Sequence, residues 1–290
     1  MSRVAVMTDT ASYIPQELAD EYNIKIVPMH IMIQGKDYAE DEVNLANYCN
    51  NFPRWKREDK LPTTSGVPLG TFLEAYRELS KRATAIVYIS HSHKLGMTVS
   101  TAEQAKLQIK GELSQTPIEV IDSLTACGSQ SLIVLEAARA AESGKSFSEV
   151  VDVANNLVRE VNHIGFYDSL YYLVKGGRIQ KAKPWAASKI SNTSLLEMDA
   201  STKGEIRPME RCKTKGQALE ALFNIVRKRS GGKKLHVIIN HGDIPVEAEE
   251  LKAKILSQFS CAEVYVTQIG PVVTTHVGLG VRMLSWWGEG

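Results

Sequence analysis

Three short apolar runs, RVAVM (Arg3–Met7), AIVYI (Ala85–Ile89) and IEVIDS (Ile118–Ser123), each lead into a segment with helical spacing. This alternation constrains the fold more than any other feature, because strands separated by helices cannot form hairpins and pair in parallel βαβ units. The helical segments are PQELADEY with Pro15 in its first turn, a helix from about Pro68, TVSTAEQAKLQIKGEL, and an alanine-rich stretch from Ser129 to Ser143. KIVPMHIMI (Lys25–Ile33) is apolar and β-rich, whereas the polar segment Asp37–Lys60 shows no period that assigns it elements.

The pattern changes near residue 160. SFSEVVDVANNLVREV is an amphipathic helix, and SLLEMDASTKGEIRPMERC reads as two strands joined by a polar turn, an antiparallel hairpin. A helix (Gly216–Arg229), the strand KLHVIIN, a helix (Val246–Phe259) and the strand EVYVTQIG follow. The expected fold is α/β, with an N-terminal parallel-sheet α/β domain over residues 1–160 and a second, α+β domain over 161–290.

The bulk numbers exclude several classes. With 290 residues the chain is long enough for two domains, and a net charge of +1 with dispersed lysines and arginines gives no nucleic-acid footprint. No apolar run approaches the roughly 20 residues of a membrane span, so no stable membrane insertion is expected. MSRVAVMTDTAS turns polar too quickly for a signal peptide. Cys49, Cys127, Cys212 and Cys261 are widely spaced without a CxxC pair, which argues against a disulfide framework or zinc site and for a cytoplasmic location.

Ligands of parallel α/β sheets gather where strands lead into helices, and three such joints are rich in hydroxyls. They are Thr8-Asp9-Thr10, Thr63-Thr64-Ser65-Gly66, and the run Ser90-His91-Ser92-His93 before Thr98. Helix N-capping alone explains any one of them, and Asp9 reads best as a cap. Thr64, Ser65 and Ser92 together are dense enough to suggest an anion cradle, with N–H groups of the helix starts contributing. His91 and His93 share a face of an extended segment, but no further donor sits nearby and Lys94 would repel a cation, so no metal is expected. His91 reads as a packing residue. His276, in the glycine-flanked loop GPVVTTHVGLG, is a candidate donor to an oxyanion. LVKGGRIQKAK (Leu173–Lys183) lacks a P-loop pattern and is open between a phosphate site, a solvated basic turn and a docking patch.

TDTAS, PTTSGVP, ISHSHKLGMTVSTAEQA, VIDS, LVKGGRI and GPVVTTHVGLG stand in the order found in the DegV family, and over essentially its whole length the chain resembles that family. The resemblance implies a fatty-acid-binding protein, the carrier subunit of bacterial fatty acid kinase, holding one long-chain fatty acid between its two domains. The acyl tail would lie in an apolar tunnel. A separate ATP-dependent catalytic subunit would phosphorylate the presented carboxylate, giving an acyl phosphate for phospholipid synthesis. No cofactor is implied. By position the carboxylate would fall to Thr64, Ser65, Ser92, His93 and His276, and kinase docking to Arg178 of GGRI and Arg211 of MERCKT. The chain departs from the family pattern at two places: SHKLGMT stands where SSxLSGT is usual, and Thr275 stands where glycine usually precedes the histidine.

Burial of a carboxylate demands hydrogen bonds, which hydroxyls and His276 would supply, while each buried CH₂ adds roughly 0.8 kcal/mol to binding of the tail. The alternatives are a carrier of another small acid or a phosphorylated ligand, and a serine hydrolase using Ser92, His276 and Asp9, although no GxSxG elbow is present.

Overall fold

The computed structural model describes residues 4–179 and 193–290. Arg3 of the first apolar run and residues 180–183 of the basic stretch lie outside the described residues.

The first half is built on a parallel four-stranded sheet in the order β2-β1-β6-β7. Its strands are β1 (Val4–Asp9), β2 (Lys25–Val27), β6 (Ala85–Ser90) and β7 (Ile118–Asp122). The two central strands, β1 and β6, are buried at every position. That is why they read as unbroken apolar runs: helices cover both faces of a parallel sheet. Around it pack α1 (Gln16–Glu21), α3 (Leu69–Ser80), α4 (Thr98–Ile109) and α5 (Cys127–Glu142).

KIVPMHIMI forms two strands rather than one. Pro28, which cannot donate to a ladder, separates β2 from β3 (His30–Ile33), and β3 belongs to a small antiparallel sheet in the order β4-β3-β5. Its other strands are β4 (Lys36–Ala39) and β5 (Thr63–Ser65), so most of the threonine joint is itself a strand, with Thr64 opposite Ile31. The segment left unassigned from sequence contains α2 (Leu45–Arg57), capped by Asn44 and carrying Pro53 in its interior. Tyr48, Phe52 and Trp55 bury one face of α2 against the core that also holds Ile31 and Phe72.

The chain crosses to a second sheet after α6 (Phe147–Glu160), whose start is fixed by a Ser146–Glu149 capping box. This six-stranded sheet has the order β10-β9-β8-β13-β11-β12. The expected hairpin is present as β9 (Thr193–Glu197) and β10 (Arg207–Cys212), and the two later strands as β11 (Leu235–His241) and β12 (Cys261–Gln268). β8 (Asn162–Tyr167) and β13 (Arg282–Gly288) were not legible as strands. Between them lie α7 (Tyr171–Lys175), α8 (Lys215–Ser230), α9 (Pro245–Gln258) and α10 (Pro271–Val277). GPVVTTHVGLG is therefore a short helix, not a tight loop, with Pro271 in its first turn and Gly278 ending it at φ +82°.

Helix α5 is buried almost throughout because it lies between the two sheets. Its Gly128 touches the second sheet so closely that a Cβ there would lie 2.8 Å from both Asn240 Oδ1 and Ser285 Oγ. Gly128 N donates to that same Asn240 oxygen at 2.8 Å. Arg139 of α5 reaches Glu263 on β12 at 2.7 Å. Conversely α10, late in the chain, packs onto the first half through Val272 and through Tyr48, whose hydroxyl meets Thr275 Oγ1 at 2.8 Å. Among the described residues no helix is long and apolar enough to cross a membrane.

Candidate functional site

Between the sheets lies a cavity of about 820 Å³, mouth included. Its walls are mostly apolar: Met29 from the first half, and Leu196, Met198, Ile206, Val272 and Met283 from the second.

One corner is polar. Thr64 Oγ1 and His276 Nε2 are 2.7 Å apart, and Ser65 and Gly66 continue the same wall. β5 can lie this close to α4 because position 66 has no side chain; a Cβ there would sit 2.5 Å from Thr98 Oγ1. His276 is largely buried, and among the described residues its Nδ1 has no hydrogen-bond partner. Burial, with the positive charge of Arg178 adding to it, pushes His276 down to about 3, so the ring is neutral at pH 7. Arg178 lines the same corner and donates to the carbonyl oxygens of Leu95 (3.4 Å) and Gly176. Its own pKa is lowered by burial.

The helix that carries His276 is held from below. Glu40, 5% exposed, accepts from Val272 N and from the Tyr13 hydroxyl, each at 2.8 Å. Tyr13 in turn accepts from Val273 N at 3.2 Å. A carboxylate at the first turn of α10 satisfies free N–H groups there. Burial raises the Glu40 pKa, and the bonds from Thr10, Val272 and Tyr13 work against that rise.

The sequence candidates divide. Thr64, Ser65, His276 and Arg178 meet at the cavity. Ser92 does not line it: fully buried, it donates its hydroxyl to Gly204 O at 2.9 Å and so ties the loop after β6 to the second half. His93 points outward and pairs with Asp122, which also accepts from His93 N at 3.3 Å. Thr275 is turned away as well, bonded to Tyr48 and to Pro271 O at 2.9 Å. Arg211 lies on β10 beside a separate surface hollow with Lys213, Gln217 and Lys228.

His91, read as a packing residue, lines the cavity. Its Nδ1 is 3.1 Å from Asp9 Oδ2, and Asp9 also accepts from the Tyr88 hydroxyl at 2.8 Å and from Ala11 N at 3.1 Å. Burial works to lower the His91 pKa, but the Asp9 charge prevails and raises it; Asp9 is lowered correspondingly against its own burial. Each partner thus favours the charged form of the other against the cost of burial. A nucleophile–base–acid chain is not assembled, since Ser92 bonds Gly204, His276 bonds Thr64 and Asp9 bonds His91. Cys127, His163 and Tyr167 also line the cavity and were missed. Nothing in their local sequence marks them, because only the meeting of α5 with β8 puts them there.

For a metal, Glu136, His236 and Glu263 place donor atoms within 4.8 Å of one another, away from the cavity. Arg139 already bridges the two glutamates at 2.7 Å each and supplies the positive charge at that place.

A family profile described as an uncharacterised protein of the DegV family matches residues 3–287. A DegV domain-containing protein of Halalkalibacterium halodurans is 30% identical over 295 residues, covering 100% of both chains. Among solved structures, a fatty-acid-binding DegV family protein from Thermus thermophilus is similar with a TM-score of 0.90 at 24% identity, covering 99% of this chain and 100% of that one. A stearic-acid-binding protein from Eubacterium ventriosum has a TM-score of 0.86 at 19% identity, with 99% and 98% covered. The profile match and the full-length relative together establish that the chain belongs to the DegV family.

Proposed function

We propose that the chain is a fatty-acid carrier that presents the carboxylate of its ligand to a separate ATP-dependent kinase, for acyl phosphate formation in phospholipid synthesis in the cytoplasm. The observation that carries this proposal is the shape of the polarity. A mostly apolar cavity ends in one corner where Thr64, Ser65, His276 and Arg178 converge. Such a corner suits one small anion at the end of a hydrocarbon chain. The described binding of fatty acids by the Thermus thermophilus and Eubacterium ventriosum proteins supports the same ligand class.

In this arrangement Arg178 balances the carboxylate charge, and the Thr64 hydroxyl and neutral His276 hold two protons between them, one of which makes their 2.7 Å bond while the other is donated to the carboxylate. A hydrogen bond to a charged group contributes about 1.5–3 kcal/mol, so a few such bonds hold the head group without a dedicated salt-bridge cage. Ser92 and His93 support the loop that carries Leu95 and Gly96 rather than touching the carboxylate. Arg211, at a hollow separate from the cavity, is left as the docking residue for the kinase.

Native mass spectrometry of the purified protein, followed by organic extraction, tests the proposal. The expected result is one fatty acid per chain. A protein that is empty and takes up no added fatty acid overturns it, in favour of a carrier for a different small acid or a phosphorylated compound.

A further inference from the structure

One wall of the cavity is strand β8, on which His163, Gly165 and Tyr167 alternate onto a single face. His163 and Tyr167 both line the cavity and are 4% and 5% exposed. A Cβ on Gly165 would lie 2.4–2.7 Å from Cε2, Cζ and the hydroxyl oxygen of Tyr167. The tyrosine ring therefore lies back along the strand over Gly165, with its hydroxyl directed toward His163. Positions 163 and 165 are separated by roughly 7 Å of strand, so the hydroxyl and the imidazole flank a short stretch of cavity wall.

Their hydrogen-bonding capacity is largely unused. His163 Nδ1 meets Ser285 Oγ at 2.9 Å. Among the described residues neither His163 Nε2 nor the Tyr167 hydroxyl has a hydrogen-bond partner. Burial pushes His163 down to about 4, so its ring is neutral. In the tautomer that donates Nδ1–H to Ser285, Nε2 offers a lone pair. A plain alkyl chain passing this wall would leave a donor and an acceptor buried and unpaired, which costs free energy that phenylalanine and leucine at the same positions would avoid.

We infer that Tyr167 and His163 form a second polar station in the cavity, which binds a hydroxyl group carried on the acyl chain. A hydroxyl fits both partners at once, accepting from Tyr167 and donating to His163 Nε2, which neither a methylene nor a double bond can do. The station deepens the fatty-acid proposal and rests on it. Tyr167 shares a hydrophobic cluster with Val277, the residue after His276, so the station and the head-group corner line one cavity.

Isothermal titration of delipidated protein tests this, with stearic acid, its cis-monounsaturated counterpart, and stearic acids hydroxylated in mid-chain or next to the carboxylate. One hydroxylated acid is expected to bind more tightly than stearic acid. Tyr167→Phe should weaken that acid about tenfold and leave stearic acid unchanged or tighter. The inference is overturned if every hydroxylated acid binds more than tenfold weaker than stearic acid, if the monounsaturated acid is preferred to all of them, or if Tyr167→Phe weakens all acids alike. Should Tyr167→Phe fold poorly, the wild-type ranking of the acids decides. Binding of stearic acid without a hydroxyl preference defeats the station alone and leaves a trapped water as its occupant. Binding of none of the acids defeats the fatty-acid proposal, and the station with it.

Discussion

Thr64 and His276 are 212 residues apart in the chain, yet Thr64 Oγ1 and His276 Nε2 meet at 2.7 Å at the polar corner of the cavity. Neither residue is placed by its neighbours in sequence alone. Thr64 is positioned by pairing of β5 with β3, and His276 by a helix whose first turn rests on buried Glu40. His276→Ala should therefore weaken fatty-acid binding by roughly ten- to a hundredfold, the loss of one bond to a charged group. Thr64→Val, nearly the same shape without the donor, should cost about tenfold. Displacement of a fluorescent fatty acid measures both, and unchanged affinity in the pair would remove the head group from this corner.

Ser92 should behave differently. Its hydroxyl donates to Gly204 O, and Gly204 has φ +75° with room for no side chain, since a Cβ would lie 2.2 Å from Ser92 Oγ. Ser92→Ala leaves a buried carbonyl unpaired at a cost of about 1–3 kcal/mol, with little effect on affinity. Gly204→Ala combines a clash with a strained backbone and should cost more. Thermal or denaturant unfolding ranks the two, and a fall in fatty-acid affinity without loss of stability in Ser92→Ala would return that serine to the head group.

This contrast shows what the sequence could disclose. Buried central strands such as AIVYI and the capped helices are local patterns, and so the parallel sheet was readable. Hydroxyl density at a strand–helix joint singled out both Thr64, which lines the cavity, and Ser92, which does not. It could not tell Thr64 from Ser92, because whether a hydroxyl faces the cavity or a carbonyl of the other half depends on how the halves meet. The same holds for His163 and Tyr167, which sit on β8, a strand whose residues NHIGFY show no clear alternation. The run VVTTHV misled in the other direction: its β-branched residues disguise a helix begun by Pro271.

Charge reversal at the two arginines should separate roles that the resemblance had joined. Arg178 lines the cavity beside His276, so Arg178→Glu should abolish fatty-acid binding and, with it, any acyl phosphate formation. Arg211 lies at a separate hollow, so Arg211→Glu should leave fatty-acid affinity within about twofold while abolishing kinase-dependent turnover. Titration and a coupled phosphorylation assay on the same preparations check this. Retained turnover with Arg211→Glu would exclude the docking role.

Ligand-free stability should fall on acidification in a way that His276 controls. Its folded pKa of about 3 lies below the ordinary imidazole value of 6.5, so between those values the unfolded chain binds the extra proton. Stability is then lost as pH falls from about 6.5 toward 3, with a slope of at most about 1.4 kcal/mol per pH unit for this one group. His163, depressed to about 4, acts in the same direction, whereas His91, raised by Asp9, acts oppositely and loses its contribution as pH rises. Comparison with His276→Gln cancels both. The stability difference between wild type and variant should shrink by up to about 2 kcal/mol between pH 6 and 4.5, measured by urea unfolding. A difference that stays constant would mean that His276 is not held neutral by burial.

Gly176 offers the most selective test of the corner. Its φ of −74° suits any residue, so no backbone strain attends a substitution there. What forbids a side chain is His276: a Cβ at position 176 would lie 2.6 Å from Nδ1 of the imidazole. In Gly176→Ala the ring must turn, which breaks the 2.7 Å contact with Thr64. The expected result is a fatty-acid affinity reduced about as much as in His276→Ala, with melting temperature within about 2 °C of wild type. The double variant Gly176→Ala with His276→Ala should bind no more weakly than His276→Ala alone, because the methyl group then has nothing to displace. Additive losses in the double variant would show that Gly176 acts on the ligand directly and not through the position of His276.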